Sequence, residues 1–290
     1  MSDEGRESMT KPISDETDPC LAQPAGGYPE YLALKRLLGL QIPRSATEGS
    51  DELLFILIHQ ISELWFKLVL HELDQAISDF DHDRLPAACK RLARCEVVFG
   101  QLSGVWQVLE TMTPSDYRVF RRGLGQASGS QSFQFRAIEY ALGYREPEWP
   151  ASRIPSGVGG DLLTHWHTRP SVYDRFLAAL IRAGYPIPAD GPERASTAGD
   201  PRIREVLAGV YRNPEKHWEV YETAEKFMDF EEAIQLWRFR HVRAVERTIG
   251  DLPGTGGTSG VGFLEKTLDR RFFPEIREVR SSLYGDDDGR

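Results

Sequence analysis

The chain has 290 residues and a formal net charge of −9 at pH 7, with 40% hydrophobic and 27% charged residues. This composition is typical of a soluble globular protein with one large domain or two small ones. The negative charge disfavours a general nucleic-acid-binding function, because such proteins need a basic surface to displace the counterions of the phosphates. The longest purely apolar run, residues 53–58, is far shorter than the ~20 residues that span a bilayer, so we expect no membrane-spanning segment.

The two ends of the chain are polar. Residues 1–26 hold few apolar groups and many Ser, Asp, Glu and Pro, which predicts a disordered tail and not a signal peptide. Residues 284–290 predict a second, acidic tail, and we expect a single domain over residues 27–283. The cysteines are odd in number and lack zinc-type spacing, which favours the reducing cytoplasm. They are Cys20, Cys89 and Cys95.

Helical periodicity dominates the segment between the tails. Almost no stretch alternates with period two, so we predict an all-α fold: a helical bundle enclosing a buried central site, with short N-terminal helical segments. Asp51 is the expected N-cap of the first long helix. We expect 145–170 to be irregular and the glycine-rich segment 250–262 to be a loop. The predicted helices lie within 28–39 and over 51–82, 84–112, 114–123, 132–142, 171–183, 201–212, 215–249 and, interrupted near Pro274, 261–283.

Two histidines stand among large apolar side chains of the long predicted helices. His241 follows Trp237 by one turn, and His59 shares a helix face with Phe55. His241 is either a core group that bonds a backbone carbonyl or an axial ligand of haem iron. His59 is either a core group, a metal ligand paired with Glu63 at i, i+4, or part of an aromatic wall with Phe55 and Phe66 that suits a flat ligand. HExxH, ExxH and CxxCH motifs are absent from the sequence, which disfavours a zinc protease, a di-iron bundle and covalently attached haem.

Several other polar residues are candidates for a ligand site. Tyr117 and Arg121 are spaced i, i+4, and the arginine is either a surface group or a fork that holds a carboxylate. Ser128 and Gly129 lie in a loop of small residues where a backbone can approach a ligand closely. Residues 254–258 lack the GK[ST] of a P-loop and form either a flexible linker or a lid. The arginines flanking His241 are either solvated or partners of haem propionates: Arg238, Arg240 and Arg243.

Six segments together resemble the bacterial tryptophan 2,3-dioxygenase family, from about Tyr28 to the last helix. The resemblance implies a helical homotetramer with one haem b per subunit, ferrous in the active form. Such an enzyme inserts both atoms of O2 into the indole C2–C3 bond of L-tryptophan and gives N-formyl-L-kynurenine, the first step of the kynurenine pathway. The segments are HQISELWFK (59–67), TMTPSDYRVFR (111–121), ASGSQSFQFR (127–136), YRNPEKHWEVYE (211–222), WRFRHVRAVERTIG (237–250) and GTGGTSGV (254–261).

The resemblance also implies roles for single residues. His241 is expected to be the axial iron ligand, and His59 the distal histidine that hydrogen-bonds the indole N–H. Phe55 is expected to pack on the indole. Arg121 is expected to pair with the substrate carboxylate.

Further residues are expected at the edges of this site. Tyr117 would hydrogen-bond near the carboxylate, and Thr255, in the closing loop, would reach the substrate ammonium and carboxylate. The resemblance places Trp106, Ser128 and Gly129 close to the haem. An N-terminal element is expected to complete the pocket of a neighbouring subunit, through Tyr28, Tyr31 and Leu32.

Two other functions are compatible with composition and periodicity alone. In a haem sensor or electron carrier, His59 and His241 would both bind iron. In a haem-free helical scaffold, both would be core residues. The coordination of the iron separates the first alternative from a dioxygenase, and uptake of added hemin separates the second.

Overall fold

The structure, a computed structural model, describes residues 26–45, 49–145, 157–188 and 199–284. Every regular element in these ranges is helical, which confirms the all-α prediction. Two short 3-10 turns, Arg121–Leu124 and Gly129–Gln131, follow α5. The α-helices of the described ranges are α1 Tyr28–Tyr31, α2 Leu34–Leu37, α3 Glu52–Asp81, α4 Leu85–Leu109, α5 Pro114–Phe120, α6 Phe133–Ala141, α7 Val158–Thr168, α8 Val172–Arg182, α9 Pro201–Arg212, α10 Trp218–Ile249, α11 Val261–Glu265 and α12 Pro274–Tyr284.

The tails predicted for 1–26 and 284–290 lie outside the described residues, except for Gly26 and Tyr284 at their boundaries. Tyr284 is the last residue of α12. The domain bounds at 27 and 283 stay a prediction.

Three long helices, α3, α4 and α10, form the centre of the bundle. Helix α4 packs along both α3 and α10, while α6 and α8 pack on α3 and α11 packs on α10. Aromatic side chains fill the space between these helices; Phe99, for example, is fully buried and lies 5.7 Å from Phe230, ring centroid to ring centroid. Because the site residues His59, Trp106 and His241 come from α3, α4 and α10, this packing brings them together.

Local sequence explains where several helices begin and end. Thr113 and Asp116 form a capping box at the start of α5, where Pro114 occupies the first helical turn. Gly250 ends α10 with φ of 55°, a conformation that favours glycine. Asp51 is the N-cap residue of α3, as predicted, although its side chain makes no capping hydrogen bond.

The prediction that 145–170 is irregular is wrong for its described part, because residues 158–168 form α7. The adjacent glycines Gly159 and Gly160 lower the intrinsic helix propensity and hide the pattern. Leu163 and Trp166, one turn apart, are 1% and 3% exposed, and α7 packs on α6. Burial of this apolar face therefore outweighs the cost of the glycines.

Helix α3 is long and apolar enough to cross a membrane by length and composition, a test that core helices of soluble proteins also pass. Its C-terminal half is a core helix with fully buried Leu73 and Phe80. Its N-terminal half leaves Ile61 and Leu64 39% and 53% exposed. The apolar composition of α3 therefore serves core packing in one half and leaves exposed apolar side chains in the other.

Candidate functional site

Two adjoining cavities open between α3, α4 and α10. The first, called the loop-side cavity, has about 740 Å³ of empty space that is partly open to solvent, and the glycine-rich loop covers it. The second, called the arginine-side cavity, has about 790 Å³. Both are lined by His59, Trp106 and His241, so they form two halves of one space around the two histidines.

His59 presents one free ring nitrogen to this space. Its Nδ1–H donates to the carbonyl of Phe55, 2.7 Å away, one turn earlier in α3. Burial lowers the pKa of His59, although the Phe55 carbonyl and the Glu63 carboxylate act to raise it. The ring is therefore neutral at pH 7, and Nε2 is a hydrogen-bond acceptor. A Cβ built on Gly129 would lie 3.5 Å from that Nε2, so Gly129 lies directly beside it.

His241 differs from a satisfied core histidine. The structure records no hydrogen bond to its ring among the described residues. The ring stacks on the indole of Trp106, with centroids 4.4 Å apart and planes inclined by 6°. Burial, with a smaller effect of His59, lowers the pKa of His241 to about 3. A neutral imidazole that lines a cavity without a protein partner has the state that a metal ligand needs.

A buried cluster of charges, the Glu139 cluster, lines the far side of the arginine-side cavity. Glu139 Oε1 accepts from Arg238 at 2.7 Å and from Arg270 at 2.9 Å, while its Oε2 lies 2.6 Å from an Arg136 nitrogen. Burial acts to raise the pKa of Glu139, but the three guanidinium groups outweigh it and lower that pKa. One carboxylate therefore faces three cations, and the cluster itself carries positive charge in excess.

The lining of this space is compatible with an anionic, ring-shaped cofactor such as haem. The indole nitrogens of Trp106 and Trp237 and the Nε of Arg238 are buried without a hydrogen-bond partner. Buried donors normally have partners. A cofactor with a flat apolar body and carboxylate arms would supply the missing hydrogen-bond acceptors. His241 lines the same space.

The expected substrate contacts surround the mouth of the loop-side cavity. Phe55 lies on His59, with ring centroids 4.2 Å apart, and 6.1 Å from Tyr117. Arg121 is not among the lining residues of this cavity. It lies at the rim, where its Nη2 donates to the carbonyl of Pro253 at 2.7 Å and its guanidinium lies 5.8 Å from the Tyr117 ring centroid.

The glycine-rich loop also contacts the cavity wall at Ala127. Thr255 lines the loop-side cavity, and its hydroxyl donates to the carbonyl of Ala127 at 2.5 Å. Ser128 and Gly129, both predicted to line the site, follow Ala127 directly and line the same cavity. The loop therefore lies as a cover over the cavity.

The N-terminal residues are not part of this cavity within the one subunit. Tyr28 and Tyr31 are 72% and 75% exposed, and Leu32 is 39% exposed. The backbone that follows is anchored on α3, because Glu52 accepts from the amides of Arg44 and Ser45 at 3.0 and 2.6 Å.

Sequence reasoning missed most of the Glu139 cluster. Of the three arginines expected near a cofactor, Arg238 is buried in it, whereas Arg243 forms an exposed pair with Glu246. Arg136 and Glu139 were detectable as opposite charges at i, i+3 in an otherwise apolar short helix. Arg270, from a loop distant in sequence, had no local signal.

Comparison with known proteins identifies relatives over most of the chain. Residues 16–183 and 203–283 match the family described as Tryptophan 2,3-dioxygenase. A tryptophan 2,3-dioxygenase of Rhodococcus jostii (strain RHA1) is 47% identical over 259 residues, covering 88% of this chain and 91% of the relative. Enzymes of the same name from Myxococcus xanthus (strain DK1622) and Bacillus thuringiensis (strain Al Hakam) are each 46% identical, cover 88% of this chain, and are matched over 89% and 92% of their own lengths.

Proposed function

The chain belongs to the tryptophan 2,3-dioxygenase family, and from this premise we propose how its residues perform the family's reaction. The chain is a dioxygenase that oxidises L-tryptophan with O2 to N-formyl-L-kynurenine, in tryptophan catabolism. The family membership also implies a haem cofactor. The observation that carries the proposed roles is a single space lined by both His241, without a protein partner, and His59, with one ring nitrogen already committed.

In this proposal His241 would be the iron ligand of one haem b per subunit, ferrous in the active form, with Trp106 stacked beside it. The Glu139 cluster and the orphaned donors of the same space would pair with the propionates of the haem. The bound haem would supply the redox-active iron for the chemistry of O2.

His59 orients the indole of the substrate. Its Nδ1–H is held by Phe55, so Nε2 accepts from the indole N–H of L-tryptophan. Phe55 packs against the indole ring from the same helix. Because a neutral His59 accepts and does not donate at Nε2, it selects a substrate that can donate there.

The polar end of the substrate lies at the mouth of the cavity. Arg121 binds the carboxylate, with Tyr117 beside it, and Thr255 reaches the ammonium and carboxylate from the glycine-rich loop. Arg121 uses Nη2 on the Pro253 carbonyl, and the rest of its fork remains available to a carboxylate.

We also propose a homotetramer in which the N-terminal element of one subunit completes the cavity of the next. The support is the exposure of Tyr28, Tyr31 and Leu32 on an anchored segment, together with the exposed apolar positions Ile61 and Leu64. The reducing cytoplasm is the proposed compartment.

Replacing Arg121 by alanine tests the substrate site. The Arg121→Ala enzyme should bind L-tryptophan about 10- to 100-fold more weakly, since a hydrogen bond to a charged group is lost. Tryptamine, which lacks the carboxylate, should lose much less affinity. The contact with Pro253 is lost for both ligands, so the ratio of the two dissociation constants isolates the carboxylate.

The matched control is Arg118→Ala, an exposed arginine on α5. It should leave both dissociation constants unchanged. An equal loss of affinity for L-tryptophan and tryptamine in Arg121→Ala would refute the carboxylate role.

A further inference from the structure

The glycine-rich loop, residues 250–260, meets the cavity wall at three places. Two are hydrogen bonds, from Arg121 to the Pro253 carbonyl and from Thr255 to the Ala127 carbonyl. Both donors are groups proposed to bind the substrate, so these bonds can be exchanged when a substrate enters. The third contact, of Gly256 with Ser128, is a close packing contact without a hydrogen bond, so the substrate cannot replace it.

Gly256 lies against Ser128 with no room for a side chain. A Cβ built on Gly256 would lie 2.7 Å from the Cβ of Ser128, 3.3 Å from its Oγ and 3.5 Å from the Gln131 amide nitrogen. Carbon atoms pack at about 3.5–4.0 Å, so the first distance excludes any residue but glycine in this position of the loop. The conflict involves a Cβ, which rotation of the Ser128 side chain does not move.

Ser128 is fixed from its own side. It caps the 3-10 turn Gly129–Gln131: its Oγ accepts from the Ser130 amide at 3.4 Å, and its amide donates to the Gln131 side-chain oxygen at 3.2 Å. The same turn presents Gly129 to Nε2 of His59. Ser128 therefore cannot move aside without disturbing the wall beside the distal histidine.

We propose that Gly256 is a positioning residue for tryptophan oxidation, because its missing side chain lets the loop seat on Ser128 and so brings Thr255 over the cavity. The inference rests on the proposed substrate site and adds a residue to it. Thr255 is the neighbour of Gly256 in the chain, so a displacement of one is passed directly to the other. A misplacement of about 1 Å in a positioning contact is enough to lower the efficiency of an enzyme by about a hundredfold.

The Gly256→Ala enzyme tests this seat. Gly256 has no positive φ, so alanine is compatible with its backbone and the variant probes space alone. We expect KM for L-tryptophan to rise by about tenfold or more with a smaller change in kcat, since binding is lost and not chemistry. Haem content and the reduced absorption spectrum should stay unchanged. With saturating L-tryptophan, the amides of residues 254–260 should exchange hydrogen faster than in the unaltered enzyme.

Two further variants separate the seat from a general defect of the loop. Gly262→Ala is a matched control, because a Cβ there meets only the Ser259 Oγ, at 3.7 Å, and its KM should not change. The double variant Gly256→Ala/Ser128→Gly removes the opposing Cβ. Its KM should therefore be close to that of Ser128→Gly alone and well below that of Gly256→Ala.

An unchanged KM in Gly256→Ala, or a double variant no better than Gly256→Ala, would overturn the proposal. Failure of the substrate site gives a different pattern. In that case Arg121→Ala would lose the same affinity for L-tryptophan and for tryptamine. The KM would still rise in Gly256→Ala and fall again in the double variant.

Discussion

At the scale of single residues, one backbone hydrogen bond decides what His59 can do. Because Nδ1–H is donated to the Phe55 carbonyl, the other nitrogen is an acceptor. His82, near the end of the same helix, makes the same i to i−4 bond at 2.7 Å, but it is exposed. The bond alone is therefore ordinary, and the cavity in front of Nε2 distinguishes His59.

Replacing His59 should reduce discrimination against an indole that cannot donate. We expect the ratio of kcat/KM for L-tryptophan to that for 1-methyl-L-tryptophan to fall by about tenfold or more in His59→Ala, with haem retained. His82→Ala is the matched control and should keep the ratio. An unchanged ratio in His59→Ala would remove the acceptor role.

The pH dependence of kcat/KM for L-tryptophan follows from the lowered pKa of His59. Burial disfavours the charged ring, so the ring stays neutral at the ordinary histidine pKa of about 6.5 and protonates only below it. The acid limb of kcat/KM should therefore lie below pH 6.5 and should be absent in His59→Ala. A limb above pH 6.5 would mean that another group titrates.

At the scale of elements, the Glu139 cluster joins three parts of the chain that are far apart in sequence. Glu139 and Arg136 come from α6, Arg238 from α10 and Arg270 from the segment between α11 and α12. Arg238 also donates to the Thr267 carbonyl at 3.1 Å. The cluster thus fixes the far wall of the arginine-side cavity.

Neutralising Glu139 should destabilise the protein strongly. Glu139→Gln leaves buried arginines without their counter-charge, which costs about 3–5 kcal/mol in the free energy of unfolding. If a propionate pairs with these arginines, the loss should be smaller in the haem-loaded protein than in the haem-free protein. Urea unfolding of both forms measures the difference, and equal losses would contradict the propionate assignment.

Glu246→Gln is the matched control for this measurement. It removes an exposed partner of Arg243 and should cost at most about 1 kcal/mol in the free energy of unfolding.

The pH dependence of stability follows from the same carboxylate. The pKa of Glu139 is lowered in the folded state, so its contribution to stability is present above the unfolded pKa of about 4.3 and is lost as the pH falls below it. Glu139→Gln should therefore flatten the acid side of the stability profile.

The sequence predicted the helices well where their apolar periodicity was strong, as in α3, α4 and α10. It failed at α7, where Gly159 and Gly160 interrupt the pattern and packing on α6 decides the outcome. The two histidines were found because each stands alone on an apolar face. The Glu139 cluster and the contact of Gly256 with Ser128 were not found, because both depend on contacts across the fold that no local spacing encodes.

At the scale of the whole molecule, the subunit leaves apolar residues exposed on its N-terminal element and on α3. Tyr31 is 75% exposed although its segment is anchored to α3 through Glu52. The proposed homotetramer uses this surface to complete a neighbouring cavity. Each active site then takes residues from two subunits.

Mixed tetramers test this arrangement. Tyr31→Ala and Arg121→Ala should each be impaired alone, but co-expression should restore part of the activity. A subunit with an intact cavity then receives an intact N-terminal element from its neighbour. Co-expression of Arg121→Ala with His59→Ala is the control and should restore nothing, since neither subunit has an intact cavity. No restoration in the first mixture would place Tyr31 outside any shared site.

The coordination of the iron in the reduced, substrate-free protein is the most direct test of the central proposal, that His241 binds haem and leaves the His59 side open. We predict a five-coordinate, high-spin ferrous spectrum with a single histidine ligand, and loss of tight haem binding in His241→Ala but not in His59→Ala. A six-coordinate, low-spin ferrous spectrum that requires both histidines, or normal haem content in His241→Ala, would contradict it.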